Sequence, residues 1–280
     1  MGTILVWVAA FMANQPDGLE PTDRMAPPGW VGNPWGPAAN EARESGSVPP
    51  VPFTPRMRQW DDWGRKNLQD GDIIFRLGDA RVLFGYFPFS RFIARASGSH
   101  FSHTGVVAIE HGNPYIYDTS KFGVQRQPLS VWLLDNVGSI GVKRLQTKYQ
   151  DRVPLVLGYC RRVYQAGVPF DYQLGLDDTA LYCVEMTEKA FRAASLPLSE
   201  PVRLGDMENA HKFIGRILVF QYLSTFTLKR PLSLEQPVFF PGNERHGIWS
   251  SPLLKTIFPP SRFTPVAEVH DEKKEDEVTR

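Results

Sequence analysis

Between about residue 56 and residue 260 the spacing of apolar positions changes period several times. "GDIIFRLG" (71–78) is a short apolar run entered through Gly-Asp, which predicts a strand. "HTGVVAIE" (103–110) and "PYIYDTS" (114–120) are two longer β-type runs separated by His-Gly-Asn, a hairpin connection. "GVQRQPL" (123–129) and "SIGVKRL" (139–145) are further strands, with a short helix over "SVWLLDN" between them. Helical spacing marks Met57 to Leu68, Ser90 to Ala96, Asp151 to Ala166, and Asp178 to about Ala194. Strands clustered in sequence and then followed by helices predict an α+β domain, an antiparallel sheet packed against helices.

The flanks read differently. Residues 14–55 are rich in Pro, Gly, Ser and Asn, and such a stretch buries too little to offset its chain entropy. It is read as a linker or a loosely docked arm, and Trp7, Trp30, Trp35 and Trp60, within or beside it, give parts of it a means to pack. The domain is expected over 56–262, and 263–280, ending in "HDEKKEDEVTR", as a solvated charged tail. Residues 1–13 hold a 12-residue apolar run, Gly2 to Ala13, too short to span a bilayer as a helix. Its length suits the apolar part of an export signal, but no basic residue precedes it. An export or anchoring segment, and with it the cell envelope or another extracytoplasmic site, is the expectation favoured over the cytoplasm.

Hydrophobic residues make up 42% of the 280, enough for one substantial core, and the net charge of +1 supplies no field that would draw the chain to nucleic acid. Two cysteines cannot staple a chain of this length, and no Cys-x-x-Cys pair or His/Cys cluster suggests structural zinc. His100 and His103, three apart at a strand edge, fall on opposite faces, which argues against a shared metal.

The chemistry turns on "LYCVEM" (181–186). Asp177-Asp178-Thr179 is a helix-start signal, so Cys183 falls about one turn into a helix, where unpaired N–H groups and the dipole favour thiolate. Cys160, mid-helix, has no such field and reads as core. From these residues alone the default remains a buried, inert Cys183. A thiolate also needs a base and an orienting group. His103 opens a nearly continuous apolar strand, either as a base or as a core histidine bonded to a carbonyl. With Glu110-His111 as the hairpin loop it faces Asp118; with His111-Gly112 it is diagonal to it. Both registers put the two on one face. Asp118 is costly in so apolar a strand unless paired; alternatively it ends the strand and caps the turn at Thr119-Ser120.

The motifs "GDIIF", "SHTGVV", "GNPYIYDTS", "QPLSVWL" and "YCVEM", in this order, resemble those of circularly permuted papain-like amidases of the YaeF/YiiX type. These are relatives of the NlpC peptidases and, more distantly, of the lecithin retinol acyltransferase group. The resemblance spans roughly 68–195 and implies a permuted papain-like fold with histidine before cysteine. It implies Cys183 as nucleophile, His103 as base, and Asp118, where many relatives carry glutamate, as the orienting acid. Tyr182 is placed beside the oxyanion site, Ser102 and Asp72 in supporting or turn roles, and Glu185 at an acidic position of no assigned role; two residues beyond Cys183 on a helix it points to another face, which suits a structural purpose. The implied activity is hydrolysis of an amide or ester through a thioester, with no metal or organic cofactor. Cell-wall peptides are one substrate class it suggests, and N-acyl or lipid-like amides the other. "LFGYFPFSRF" (83–92) would line an acyl groove or pack as a loop, and Arg91 and Arg95 would meet an anionic group or form a solvated face. A catalytically silent binding domain and a thiol acyltransferase are the alternatives.

Overall fold

The computed structural model describes residues 25–80, 88–213, 215 and 233–262. Its centre is a six-stranded sheet built from β1 (Ile73–Arg76), β2 (His103–Glu110), β3 (Asn113–Ser120), β4 (Gly123–Pro128), β5 (Ser139–Leu145) and β8 (Leu254–Arg262). The spatial order is β4-β3-β2-β1-β5-β8, and every pairing is antiparallel. β1 lies in the interior of the sheet with both faces covered, so all four of its residues are buried, an apolar run of three closed by Arg76. β2 and β3 pair from Val106↔Tyr117 to Glu110↔Asn113, leaving His111-Gly112 as a two-residue loop. Both loop residues have positive φ, 50° and 77°, the type I′ geometry that matches the twist of a hairpin.

Alternation along the strands divides the core in two. On one face Ile73, Phe75, Val106, Ala108 and Tyr117 pack against α5 (Val153–Gln165) and α6 (Cys183–Arg192). On the other, Ile74, Val107, Ile116, Ile140 and Val142 pack against α2 (Pro55–Asn67), the short α4 (Leu129–Trp132) and Trp35. Burying one such isoleucine stabilises the fold by roughly 2 kcal/mol, so both faces are strongly specified. A one-residue slip would turn every one of these side chains to the wrong layer.

The Pro/Gly-rich stretch is packed over its described part. Trp35 is buried, α1 (Pro37–Glu44) follows it, and the Asn40 amide donates to Arg126 O at 2.8 Å and to the Tyr164 hydroxyl at 2.9 Å. Arg126 N–H donates to Trp35 O at 3.0 Å, so this arm lies along the outer edge of β4. α3 (Phe89–Ala96) packs with Leu204, Met207 and Val238 beside a two-stranded ribbon, β6 (Val202–Arg203) and β7 (Pro237–Val238).

Two elements depart from the sequence expectation. β8 completes the sheet from a segment whose Pro259 and Pro260 speak against a strand; proline is tolerated here because β8 is an edge. The helix expected from Asp178 begins at Cys183. Asp177 caps a local turn instead, accepting the Thr179 N–H at 2.9 Å. Leu181 is held extended by bonds to Pro169 O and from Asp171 N–H, both at 3.0 Å, so helix can start only beyond it.

Candidate active site

The shift in helix start puts Cys183 at the first helical position, with Tyr182 as the N-cap. Glu185 accepts the Tyr182 N–H at 3.2 Å, satisfying a donor that the helix start would leave orphaned. The N–H groups of Cys183 and Val184 have no partner within the helix, and they converge with the positive end of its dipole. Thr187 ties this turn to the sheet: its hydroxyl lies 2.9 Å from that of Thr104, the residue after His103. Cys183 is partly exposed. Cys160 is fully enclosed, and burial pushes its thiol up to about 12.

His103 and Asp118 come together as hairpin parity requires, in the diagonal register set by the His111-Gly112 loop. His103 Nε2 lies 2.6 Å from Asp118 Oδ2. Asp118 is wholly buried, and two further donors meet its carboxylate: Trp132 Nε1–H to Oδ2 at 2.8 Å and the Gln127 amide to Oδ1 at 3.4 Å. The glycine of the Ser-His-Thr-Gly stretch has a steric reason. A Cβ on Gly105 would stand 2.4 Å from Ile116 Cγ2 and 3.4 Å from Asp118 Cβ, so only glycine lets β3 close on the histidine strand.

The Cys183 side chain is the other group that acts on the His103 ring to favour its charged form. Nε2 is committed to Asp118, which leaves Nδ1 for the sulfur. Burial disfavours the charged ring, but the Cys183 thiolate and the Asp118 carboxylate together outweigh it. His103 is pushed up to about 9, with the Arg76 cation acting in the opposite direction. The geometry can therefore hold a charged imidazolium whose ring is oriented from behind by a carboxylate.

Tyr182 and Ser102 are supports. The Tyr182 hydroxyl accepts the Phe239 N–H at 2.6 Å and donates to Phe239 O at 3.3 Å, so it is turned away from any oxyanion. Ser102 Oγ accepts the Gly78 N–H at 3.0 Å and steadies the start of β2. Asp72 holds Arg144 at 2.6 Å and the Gln69 N–H at 2.9 Å, a turn role. Glu185, fully buried, adds a 2.9 Å pair with Lys189 to its cap, which is the structural purpose expected for it. Arg91 is half-exposed and lies 3.8 Å from Asp79. Residues 83–87 of the proposed groove segment lie outside the described residues.

Three participants escaped the sequence reading: Trp132, Gln127 and Arg76. The indole N–H of Trp132 is a donor that must find a partner once buried, which was the available signal. Arg76 faces His103 across β1 and β2. Its guanidinium lies 4.2 Å from the Trp132 ring centroid and donates to Trp132 O, with Asp135 Oδ2 at 3.4 Å.

A cysteine at a helix start, facing a histidine and an acid on adjacent antiparallel strands, is the arrangement of a papain-like thiol enzyme, with the base ahead of the nucleophile in the chain. The family model for permuted papain-like amidase enzymes (YaeF/YiiX, C92 family) matches residues 67–224, and the chain belongs to that family. It is 24% identical over 173 residues to the uncharacterized protein YiiX of Escherichia coli strain K12, a match covering 61% of this chain and 81% of that one. A crystal structure of a protein described as metalloprotein yiiX from Escherichia coli O157:H7 shares the fold. Its TM-score is 0.53 at 23% identity, covering 68% of this chain and 96% of that one.

Proposed function

We propose that the chain is a cysteine hydrolase of amide or ester bonds, with Cys183 as nucleophile, His103 as acid–base and Asp118 as the orienting carboxylate. The observation that carries this reading is the His103 ring held 2.6 Å from the buried Asp118 through Nε2, with Cys183 at a helix start among the groups that act on that ring. The proton of the thiol passes to His103 Nδ1, and the thiolate sulfur attacks the substrate carbonyl carbon. The carbonyl π pair becomes the oxyanion, met by the unpaired N–H groups of Cys183 and Val184. The tetrahedral species collapses, the C–N or C–O bond breaks, and the leaving group takes the His103 proton. A thioester remains. Water then gives a proton to His103 and its oxygen to the acyl carbon, releasing the carboxylic acid and restoring the thiol.

Two substrate classes fit: peptide amides of the cell wall, and N-acyl or lipid-like amides. An envelope location would suit either. An acceptor other than water would make the same intermediate serve acyl transfer. Among the described residues no group of three or more His, Cys, Asp or Glu side chains is arranged to hold a metal ion.

Labelling with iodoacetamide at pH 6 tests the reading. Modification of Cys183 in preference to Cys160, lost in His103→Ala, supports the enzyme. Equal, slow labelling of both thiols would make the domain a catalytically silent binding fold.

A further inference from the structure

Arg76 has the features of a residue kept for something other than stability. Its side chain is buried, yet its Nε has no hydrogen-bond partner, and its carboxylate neighbour Asp135 is at 3.4 Å. A buried, incompletely satisfied guanidinium is costly, and an apolar side chain of similar volume would ordinarily serve such a core position as well or better. What Arg76 does touch is the support of the proposed site. One nitrogen donates to Trp132 O, the guanidinium carbon lies over the Trp132 ring, and that ring donates its N–H to Asp118. Arg76 is also the cross-strand partner of His103.

We propose that Arg76 is a positioning residue for the Cys183–His103–Asp118 site, clamping Trp132 so that its indole meets Asp118 and offsetting the negative charge that surrounds His103. The inference rests on the hydrolase reading. The groups facing His103 are Cys183 from α6, Asp118 from β3 and Arg76 from β1, with Asp135 behind Arg76. Two carboxylates and a thiolate stand against one imidazolium and one guanidinium. Removing the guanidinium leaves His103 in a more negative pocket, and it must then hold its proton more tightly. It would be slower to release that proton and to act as the base that activates water.

The fork geometry matters as much as the charge. A lysine at 76 keeps the cation but cannot both lie over the indole and reach the Trp132 carbonyl and Asp135. Charge and clamp are therefore separable by substitution.

The experiment follows the His103 ring by NMR titration, assigned by comparison with His103→Ala, together with hydrogen exchange of the Trp132 indole N–H. In Arg76→Met the His103 midpoint rises and the indole exchanges at least roughly tenfold faster, as expected for a local opening. In Arg76→Lys the midpoint stays near that of the wild type while the indole still exchanges faster. Asp135→Asn, which leaves the Arg76 charge less neutralised, lowers the midpoint and serves where Arg76→Met does not fold. A folded Arg76→Met with an unchanged or lowered midpoint overturns the proposal, as does an Asp135→Asn midpoint that does not fall or an Arg76→Lys indole as protected as in the wild type. The two readings fail separately: iodoacetamide labelling of Cys183 that ignores His103 sinks the hydrolase, whereas these titrations sink only the role of Arg76.

Discussion

Trp132 and His103 share a single acceptor: both nitrogens meet Oδ2 of Asp118, at 2.8 and 2.6 Å. The carboxylate is wholly buried, so each donor offsets part of its desolvation cost, with the Gln127 amide at 3.4 Å on the other oxygen. The indole ring also stands 5.8 Å from the imidazole at 38°, walling off the His–Asp pair on one side.

Replacing Trp132 with Phe keeps the wall and removes the donor. Leaving a buried acceptor short of one partner should cost about 1–3 kcal/mol of stability, read by urea denaturation. The His103 titration midpoint should rise in the same variant, because Asp118 then has one fewer proton to share. An unchanged midpoint would mean that the indole bond is incidental to the site.

The pH dependence of stability has a definite sign. The folded value of His103, about 9, lies above its ordinary 6.5. The proton is therefore bound more tightly in the folded state, and its contribution is fully present below 6.5 and lost as pH rises through 9. The stability difference between wild type and His103→Gln should shrink across that interval. Acylation by an activated ester such as p-nitrophenyl acetate should likewise lose rate above pH 9 if the imidazolium belongs to the reactive form.

Glu185 titrates in the opposite chemical sense but with the same sign. Burial lifts its carboxyl to about 7, although Lys189 and the Tyr182 N–H pull it down. It is therefore more readily protonated folded than unfolded, and stability falls as pH rises from about 4.5 to 7. Glu185→Gln retains a cap acceptor without the charge, so its stability relative to the wild type should improve between pH 5 and pH 8. Glu185→Ala, which also removes the cap, should lie about 1 kcal/mol below Glu185→Gln at either pH.

Gly105→Ala tests the closeness of the two strands. With Ile116 Cγ2 only 2.4 Å from the added carbon, β3 must shift or Ile116 must change rotamer. Overpacking of this kind costs about 1–3 kcal/mol, and any shift of β3 carries Asp118 with it. The variant should fold less stably and label more slowly with iodoacetamide at Cys183 than the wild type.

The sheet was legible because its strands are short apolar runs bounded by Gly, Asn and Asp, and their clustering ahead of the helices marked an antiparallel α+β arrangement. His103 and Asp118 were legible as a pair from parity alone, since side chains two apart share a face whichever loop is chosen. The start of the nucleophile's helix was not. Asp177-Asp178-Thr179 carries every local mark of a cap, and what displaces the true start to Cys183 is a long-range bridge between Leu181 and Phe170. β8 was hidden by its prolines, and Arg76 by sitting at the end of a strand that otherwise reads as core. In each case the deciding partner is remote in sequence, where local pattern carries no information.

The docked arm has a consequence for how the protein may be handled. β4 is the strand beside the one that carries Asp118, and its outer edge is occupied: Trp35 O takes the Arg126 N–H, Asn33 donates to Val124 O, and Val168 O takes the Val124 N–H. At the opposite edge, Pro259 and Pro260 blunt β8. A shortened chain beginning after Trp35 would uncover part of β4 as an unpaired strand, open to pairing with another molecule. Trimming the amino-terminal region to obtain a tidier domain would thus trade a covered sheet edge for one prone to self-association.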